Sequence, residues 1–400
     1  MVEAVKNQRY RIVDIPIGPQ HPALHEPIML RIKIDGEEVV DVKVVTGYNH
    51  RGIEKLCEIN SAIRISYICG RVCGICNTVH NTCAVQGIEK VAGIEPPPRA
   101  NFLRTIGMEL ERVHSHYLII AVLAEILGFD SLFMLLMRDR ERVMYLKEIL
   151  TGQRVLADYA IPGGVKRDLS SDAKDIFMKH LAFLEERAKY YKKTFEEDPV
   201  ILKRTRDVGV IKANEAVAYC LVGPTLRGSG VKSDVRYEDP HAAYGEIPFN
   251  VITYPDGDSW SRMMVRFDEI FESINIVRYA LDHLPSGPAV ADPRKLPRNL
   301  PPGEAISRVE AQRGELCYHF ISKGGPKFYR VKIRTPSFNN ILGGVIGFRD
   351  ATLADVPVIF GSYDPCIACC ERSITIEFKN GHKRSFSILE LGKYVNKKLR

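Results

Sequence analysis

Two Cys-x-x-Cys pairs stand near opposite ends of a 400-residue chain: Cys73-Gly74-Ile75-Cys76 and Cys366-Ile367-Ala368-Cys369. Such a pair puts two thiolates on one side of a turn, close enough to chelate one metal. Thiolate donors suit zinc, nickel, copper(I) and iron–sulfur iron. If both pairs serve one site, the fold must carry Cys366 back to Cys76 across 290 positions. Zinc ribbons keep their pairs within about 15–20 residues of each other. Spacing alone leaves three readings open: a structural zinc site, a redox metal centre, or two unrelated pairs.

Composition narrows the setting. The chain is 45% hydrophobic and 26% charged, enough to bury a sizeable core, and its length suggests two or three domains. The N-terminus lacks the basic start, apolar run and small-residue cleavage site of a secretory signal, so ten cysteines do not read as a disulfide framework. The most apolar stretch, 117–137, is interrupted by Glu125 and Asp130, whereas a membrane span needs about 20 predominantly apolar residues. Membrane association would then come through partner subunits. Net charge is +7, and residues 373–400 hold seven Lys/Arg against two Asp/Glu, which leaves the rest near neutral at +2. That basic tail lacks aromatic interleaving, and nucleic acid is not an expected partner.

Along the chain, residues 10–46 alternate like strands, with Ile28, Leu30, Ile32 and Ile34 before an Asp35-Gly36 turn and Val40, Val42 and Val44 after it. Helical periodicity marks 100–127, 132–150, 171–196 and 259–283. Residues 223–258, rich in Gly, Pro, Asp and Tyr, read as a long irregular excursion of the functional or partner-facing kind. A proline-rich connector covers 285–303, strands follow over 313–334, and Asn380-Gly381 sits in a final hairpin.

The residues around the cysteines carry a resemblance. Arg71-Val72-Cys73-Gly74-Ile75-Cys76-Asn77-Thr78-Val79-His80 is similar to the first ligand motif of nickel–iron hydrogenase large subunits. Asp364-Pro365-Cys366-Ile367-Ala368-Cys369-Cys370-Glu371-Arg372 is similar to their second. The likeness extends through Gly18-Pro19-Gln20-His21-Pro22, His50-Arg51-Gly52-Ile53-Glu54, Glu109-Leu110-Glu111-Arg112, Gly223-Pro224-Thr225 and Arg313-Gly314-Glu315-Leu316. Within that family the chain looks like the membrane-bound, energy-converting group, which is related to the 49 kDa NADH dehydrogenase subunit of complex I. Complex I subunits have lost the cysteine pairs, and here all four remain. The overall resemblance suggests an archaeal source, a methanogen among the candidates.

The resemblance implies a nickel–iron centre whose iron carries carbon monoxide and cyanide, with Cys73 and Cys366 as terminal nickel ligands and Cys76 and Cys369 as bridges. It implies reversible heterolytic oxidation of dihydrogen, with protons and dihydrogen as substrates. Glu26 falls where the family gates protons, and Arg313 where a guanidinium donates to cyanide. Gln312 replaces the family's proline and is expected to loosen the backbone there. His80 is placed to bond a bridging sulfur, and Glu54 where other groups hold magnesium. Cys370 is either a competing ligand or a small core residue. Cys57, Cys69, Cys83, Cys220 and Cys317 have no partner spacing and read as core.

The implied fold is α+β, predominantly α: an N-terminal β region (1–50), a helical core with the first pair (51–285), a C-terminal α+β part with the second (286–372), and an extension (373–400). A maturation protease would remove that extension after Arg372. The chain has no further iron–sulfur motif, so the expected partners are an iron–sulfur small subunit and membrane ion-translocating subunits. The expected place is peripheral, on the cytoplasmic side of the membrane. A non-catalytic quinone-module subunit is the competing function.

Overall fold

The computed structural model describes residues 12–22, 24, 26–170, 172–292, 299–370, 374–377 and 382–386. Strands β1 (Val13–Ile17), β2 (Met29–Asp35) and β3 (Glu38–Val45) form an antiparallel sheet in that order. The Asp35-Gly36 turn forms as expected, with Gly36 at φ 64°. The phase of β3 differs from the expected one. The register shifts between Lys33 and Ile34, so Val39 faces Ile34 and Asp41 faces Lys33. The extra residue of this bulge turns Val39 and Val42 inward and leaves Val40 56% exposed.

Helices α1 (Ile53–Ile59), α2 (Ala62–Gly70), α3 (Asn77–Ala92), α4 (Pro98–Ile126) and α5 (Asp130–Thr151) follow. Two minimal strands, β4 (Ala160–Ile161) and β5 (Gly164–Val165), precede α6 (Ala173–Glu197). Short helices α7 (Pro199–Thr205), α8 (Ala213–Ala218), α9 (Gly223–Arg227) and α10 (Val235–Glu238) lead to α11 (Ser259–Asp282). α4 begins with Pro98 in its first turn, where a missing N–H costs nothing, and it is buried along nearly its whole circumference. α11 starts at an Asp258 cap that accepts from Ser261 N at 2.7 Å.

A second antiparallel sheet joins β6 (Leu300–Ala311), β7 (Gly314–Gly325) and β8 (Arg330–Arg334). α3 lies on it closely: a Cβ on Gly87 would stand 2.2 Å from the Phe320 ring. α12 (Pro336–Gly343) and α13 (Val356–Ser362) lead to the second cysteine pair, and β9 (Ile374–Glu377) pairs antiparallel with β10 (Lys383–Phe386) beyond it. The turn expected at Asn380-Gly381 lies outside the described residues. The fold is mixed α+β and mostly helical.

Two apolar clusters organise the interior. The larger runs through α3, α4, α5, α6, α11 and the second sheet, and takes in Cys73, Cys76, Cys366 and Cys369. The smaller sits between the N-terminal sheet and α13, where Ile28, Leu30 and Ile32 meet Ile359, Phe360 and Ile367. The second cysteine pair lies on the seam.

The 223–258 segment, expected as an irregular excursion, contains the short helices α9 and α10 and carries part of the buried ion network. Four of its charged residues, Arg227, Asp234, Arg236 and Asp258, point inward. Arg227 pairs with Glu269 and Glu310, and Arg236 pairs with Glu109 and Asp234, all of them buried. Burial alone would raise the Glu109 carboxyl, but Arg112 and Arg236 outweigh it and hold the group at about 2. Buried charge survives only when paired in this way.

Candidate metal centre

The chain does bring its two ends together. Cys73 Sγ and Cys366 Sγ lie 3.4 Å apart, and the thiols of Cys73, Cys366 and Cys369 all fall within 4.8 Å of one another. All four candidate ligands are 4% exposed or less. Cys73 and Cys76 occupy the bend between α2 and α3, and Cys76 is the residue that caps α3. Its N–H donates to Cys73 Sγ at 3.1 Å. The second pair follows α13 and is held from below, where Cys366 N–H donates to Ser337 Oγ and Thr335 Oγ1 donates to the Cys369 carbonyl.

Crowding sets the charge of these thiols. Hydrogen bonds from Cys366, Cys369 and Cys76 draw Cys73 well below the usual thiol range, and Arg313 adds to the pull. The contact with Cys73 pushes Cys76 up, and contacts with Cys369 and Cys73 push Cys366 up. One thiolate is favoured, and a second needs a further positive charge.

Arg313 is the cation in contact. Its Nη1 donates to Cys76 Sγ at 2.9 Å, and its Nε donates to the Asp364 carbonyl at 2.7 Å. Its Nη2 is paired with the Asp364 carboxylate. Burial would weaken its charge, but Asp364 and the thiols keep it protonated well above its ordinary range. In place of the family's proline, the turn that carries Arg313 has other supports. Arg313 sits in the two-residue turn of the β6–β7 hairpin, where Ala311 pairs Gly314, and its carbonyl accepts from Asn340 Nδ2. Gly314 at φ 123° and Gly223 at φ 64° press together there, since a Cβ on Gly223 would stand 2.4 Å from the Arg313 carbonyl oxygen. Hairpin register and close packing hold this turn.

Glu26 lies over the second pair and accepts from the backbone N–H groups of Ile367 and Ala368. Burial pushes its carboxyl up against the pull of the Ile367 N–H. With Arg313, Leu118, Val122 and Phe360 it lines an apolar cavity of about 190 Å³. His80 Nε2 is 3.8 Å from Cys369 Sγ, and its Nδ1 is 2.8 Å from Tyr318 Oη.

Other expectations land elsewhere. The Glu54 carboxylate, expected at a magnesium position, bonds Arg330 and the Ile333 N–H, with Lys332 at 3.4 Å, in a half-exposed ion cluster. Cys370 turns away from the other thiols, into the smaller apolar cluster, and its Sγ donates to the Cys366 carbonyl. Arg71 pairs outside the site with Asp158. Cys220 is exposed and Cys317 half-buried, while Cys57, Cys69 and Cys83 are core. Cys57 and Cys69, without partner spacing in sequence, meet at 3.7 Å between α1 and α2. Arg372 lies outside the described residues.

One contributor had no expected role. Arg51 donates to the carbonyls of Arg71 and Val72, just before the first pair, and to the carbonyl of Ala368, inside the second. It ties the two loops to each other. Arg51 lies in the 50–54 segment that shares in the resemblance, but a guanidinium that binds carbonyls leaves no spacing signature.

The donor set fits a soft metal: buried sulfur, with no ring of oxygens. It is also lopsided, with three thiols converging and the fourth turned to a guanidinium.

Comparison with known proteins finds extended relatives. Residues 127–299 and 297–372 match the family described as respiratory-chain NADH dehydrogenase, 49 Kd subunit, and residues 51–126 match the nickel-dependent hydrogenase family. The chain is 41% identical to the carbon monoxide-induced hydrogenase of Rhodospirillum rubrum, over 90% of this chain and 99% of that one. It is 37% identical to the membrane-bound hydrogenase subunit alpha of Pyrococcus furiosus, over 93% and 90%. A chain in the structure of the membrane-bound sulfane sulfur reductase, an archaeal respiratory membrane complex, superposes with a TM-score of 0.85 at 34% identity, over 90% of this chain and 98% of that one.

Proposed function

The chain belongs to the family of nickel-dependent hydrogenase large subunits and complex I 49 kDa subunits, and on that footing we propose that it is the catalytic subunit of an energy-converting nickel–iron hydrogenase. The observation that carries the reading is the convergence of Cys73, Cys366 and Cys369 within 4.8 Å, with Arg313 on Cys76. A subunit that served only as a quinone module would have no use for four buried thiols.

In this reading Cys73, Cys76, Cys366 and Cys369 would together hold a nickel–iron centre with carbon monoxide and cyanide on its iron. The centre, when bound, supplies the heterolytic chemistry of dihydrogen. The protein does the rest. Arg313 keeps a fixed charge beside Cys76 and offers donors to cyanide. His80 braces the Cys369 sulfur. Glu26, at the mouth of the apolar cavity, passes protons between the thiolates and solvent. The cavity walls keep bulk water out. Electrons leave to an iron–sulfur small subunit, and membrane subunits move ions. Among the described residues no helix is long and apolar enough to cross a membrane, and we assign the chain a peripheral place on its cytoplasmic side, held by those partners. A maturation protease cuts after Arg372 and releases the basic extension.

The test is elemental analysis of the complex purified anaerobically from its native host, with the intact mass of this subunit. Stoichiometric nickel and a mass ending at Arg372 are expected. A second reading, a complex I-like electron-transfer subunit, draws on the 49 kDa family match over residues 127–372. Zinc or no metal, with no dihydrogen turnover by the complex, would establish it instead.

A further inference from the structure

Beside the thiols lies a buried ion pair that the proposed function leaves without a task. Glu111 of α4 and Lys147 of α5 are 0% and 1% exposed, with Lys147 Nζ 3.4 Å from Glu111 Oε1. The Glu111 carboxylate accepts from the backbone N–H groups of Thr78 at 2.8 Å and Val79 at 3.0 Å. These are first-turn amides of α3, whose cap residue is Cys76 and which has no side-chain cap of its own. The same carboxylate accepts from Gln312 Nε2 at 3.4 Å, one residue before Arg313. A single acid from a third element therefore holds the helix end under one thiol and the turn under the guanidinium that touches that thiol.

Resting on the proposed function, we infer that Glu111, with Lys147 as its counter-charge, is a positioning residue that sets how much electron density the Cys76 thiolate donates. The free amides of a helix N-terminus carry a partial positive charge of roughly half a unit. Cys76 stands at that end. Left alone, the amides would draw charge from its sulfur. Glu111 offsets them through two charge-assisted hydrogen bonds, and Lys147 keeps the buried assembly neutral overall. The sulfur thus faces a screened helix end, and Arg313 remains the cation in direct contact.

Removing the carboxylate while keeping its shape separates this role from mere support. In Glu111→Gln the α3 amides and the Lys147 ammonium are both left uncompensated. The Cys76 thiolate then donates less, and cyanide on the neighbouring iron vibrates at higher frequency. Adding Lys147→Met removes the stray cation and should bring the bands back toward the wild type. A purely structural defect would not reverse when a second buried group is cut away.

The experiment is infrared spectroscopy of the carbon monoxide and cyanide bands on the complex purified anaerobically from its native host. Nickel content and melting temperature are measured on the same samples. Higher-frequency bands in Glu111→Gln, partly reversed in Glu111→Gln/Lys147→Met, are expected. Unshifted bands at equal nickel content, or a double variant shifted further in the same direction, would overturn the inference and leave the proposed function standing. If Glu111→Gln does not assemble, Lys147→Met alone decides: bands at lower frequency are expected, and unshifted or higher ones overturn it. A wild-type complex without nickel and without these bands would overturn the proposed function, and this inference with it.

Discussion

Two buried polar regions flank Arg313, and they are built by opposite rules. On one side, three thiols crowd together beside a fourth that one guanidinium contacts. On the other, the network on α4, α9, α10, α11 and β6 answers its carboxylates with arginines: Glu109 with Arg112 and Arg236, Glu269 with Arg227, Glu310 with Arg227. Each of these carboxylates finds its arginine within the chain. The thiol cluster is short of positive charge and calls for a metal to supply it. Damage to the first should therefore appear in metal content and damage to the second in stability.

The largest effect tests that contrast directly. Cys366→Ala should drop nickel from stoichiometric to background while the metal-free chain loses no more than about 1 kcal/mol. Denaturant unfolding beside elemental analysis checks both, and a large loss of stability in the metal-free chain would break the contrast. Next is Arg236→Met, which leaves Glu109 and Asp234 without their shared cation and should cost ~3–5 kcal/mol. That is a large share of the roughly 5–15 kcal/mol available to a domain. Retention of wild-type stability by this variant would mean that the network is not closed. Arg51→Ala sits between the two rules, because it unties the cysteine loops without touching sulfur. A loss of ~1–3 kcal/mol together with weaker nickel retention against a chelator is expected.

A smaller effect concerns pH. Burial, with Asp234 beside it, raises Glu310 from 4.5 to about 7. The folded protein thus keeps this proton longer than the unfolded chain does. Its contribution is fully present below the unfolded value and is lost as pH rises toward 7. Glu310→Gln should remove that loss and flatten the stability profile between about pH 4.5 and 7. Denaturant melts across this window check it, and parallel profiles would contradict the assignment. Glu54→Gln should do least, about 0–1 kcal/mol with nickel unchanged, because its partners are exposed Arg330 and Lys332.

The same contrast explains what the sequence could disclose. The thiol site was legible because each half is local: a pair, a spacing and a few neighbours. The long helices were legible because α4, α5, α6 and α11 repeat at the helical period. The ion network was not. Glu109 meets Arg236 across 127 positions and Arg227 meets Glu310 across 83, and neither distance leaves a local pattern. Its loop is rich in Gly, Pro and Asp, which resembles surface because composition cannot show that Arg227 and Arg236 have distant buried partners. β6 was hidden for another reason. It begins with Leu300, Pro301 and Pro302, residues that read as connector, and such prolines are tolerated there because β6 is an edge strand.

The bonds of Arg51 have a consequence in time. They join carbonyls at positions 71 and 72 to one at position 368, so the clasp cannot close until nearly the whole chain has left the ribosome. At roughly 5–20 residues per second, Cys73 and Cys76 wait on the order of 15 to 60 s for the second pair. During that interval they are an open two-thiol chelator, available to whichever soft metal arrives first. If the centre takes the metal proposed for it, its loading is then also a question of scheduling, and growth in excess zinc should give the largest misloaded fraction.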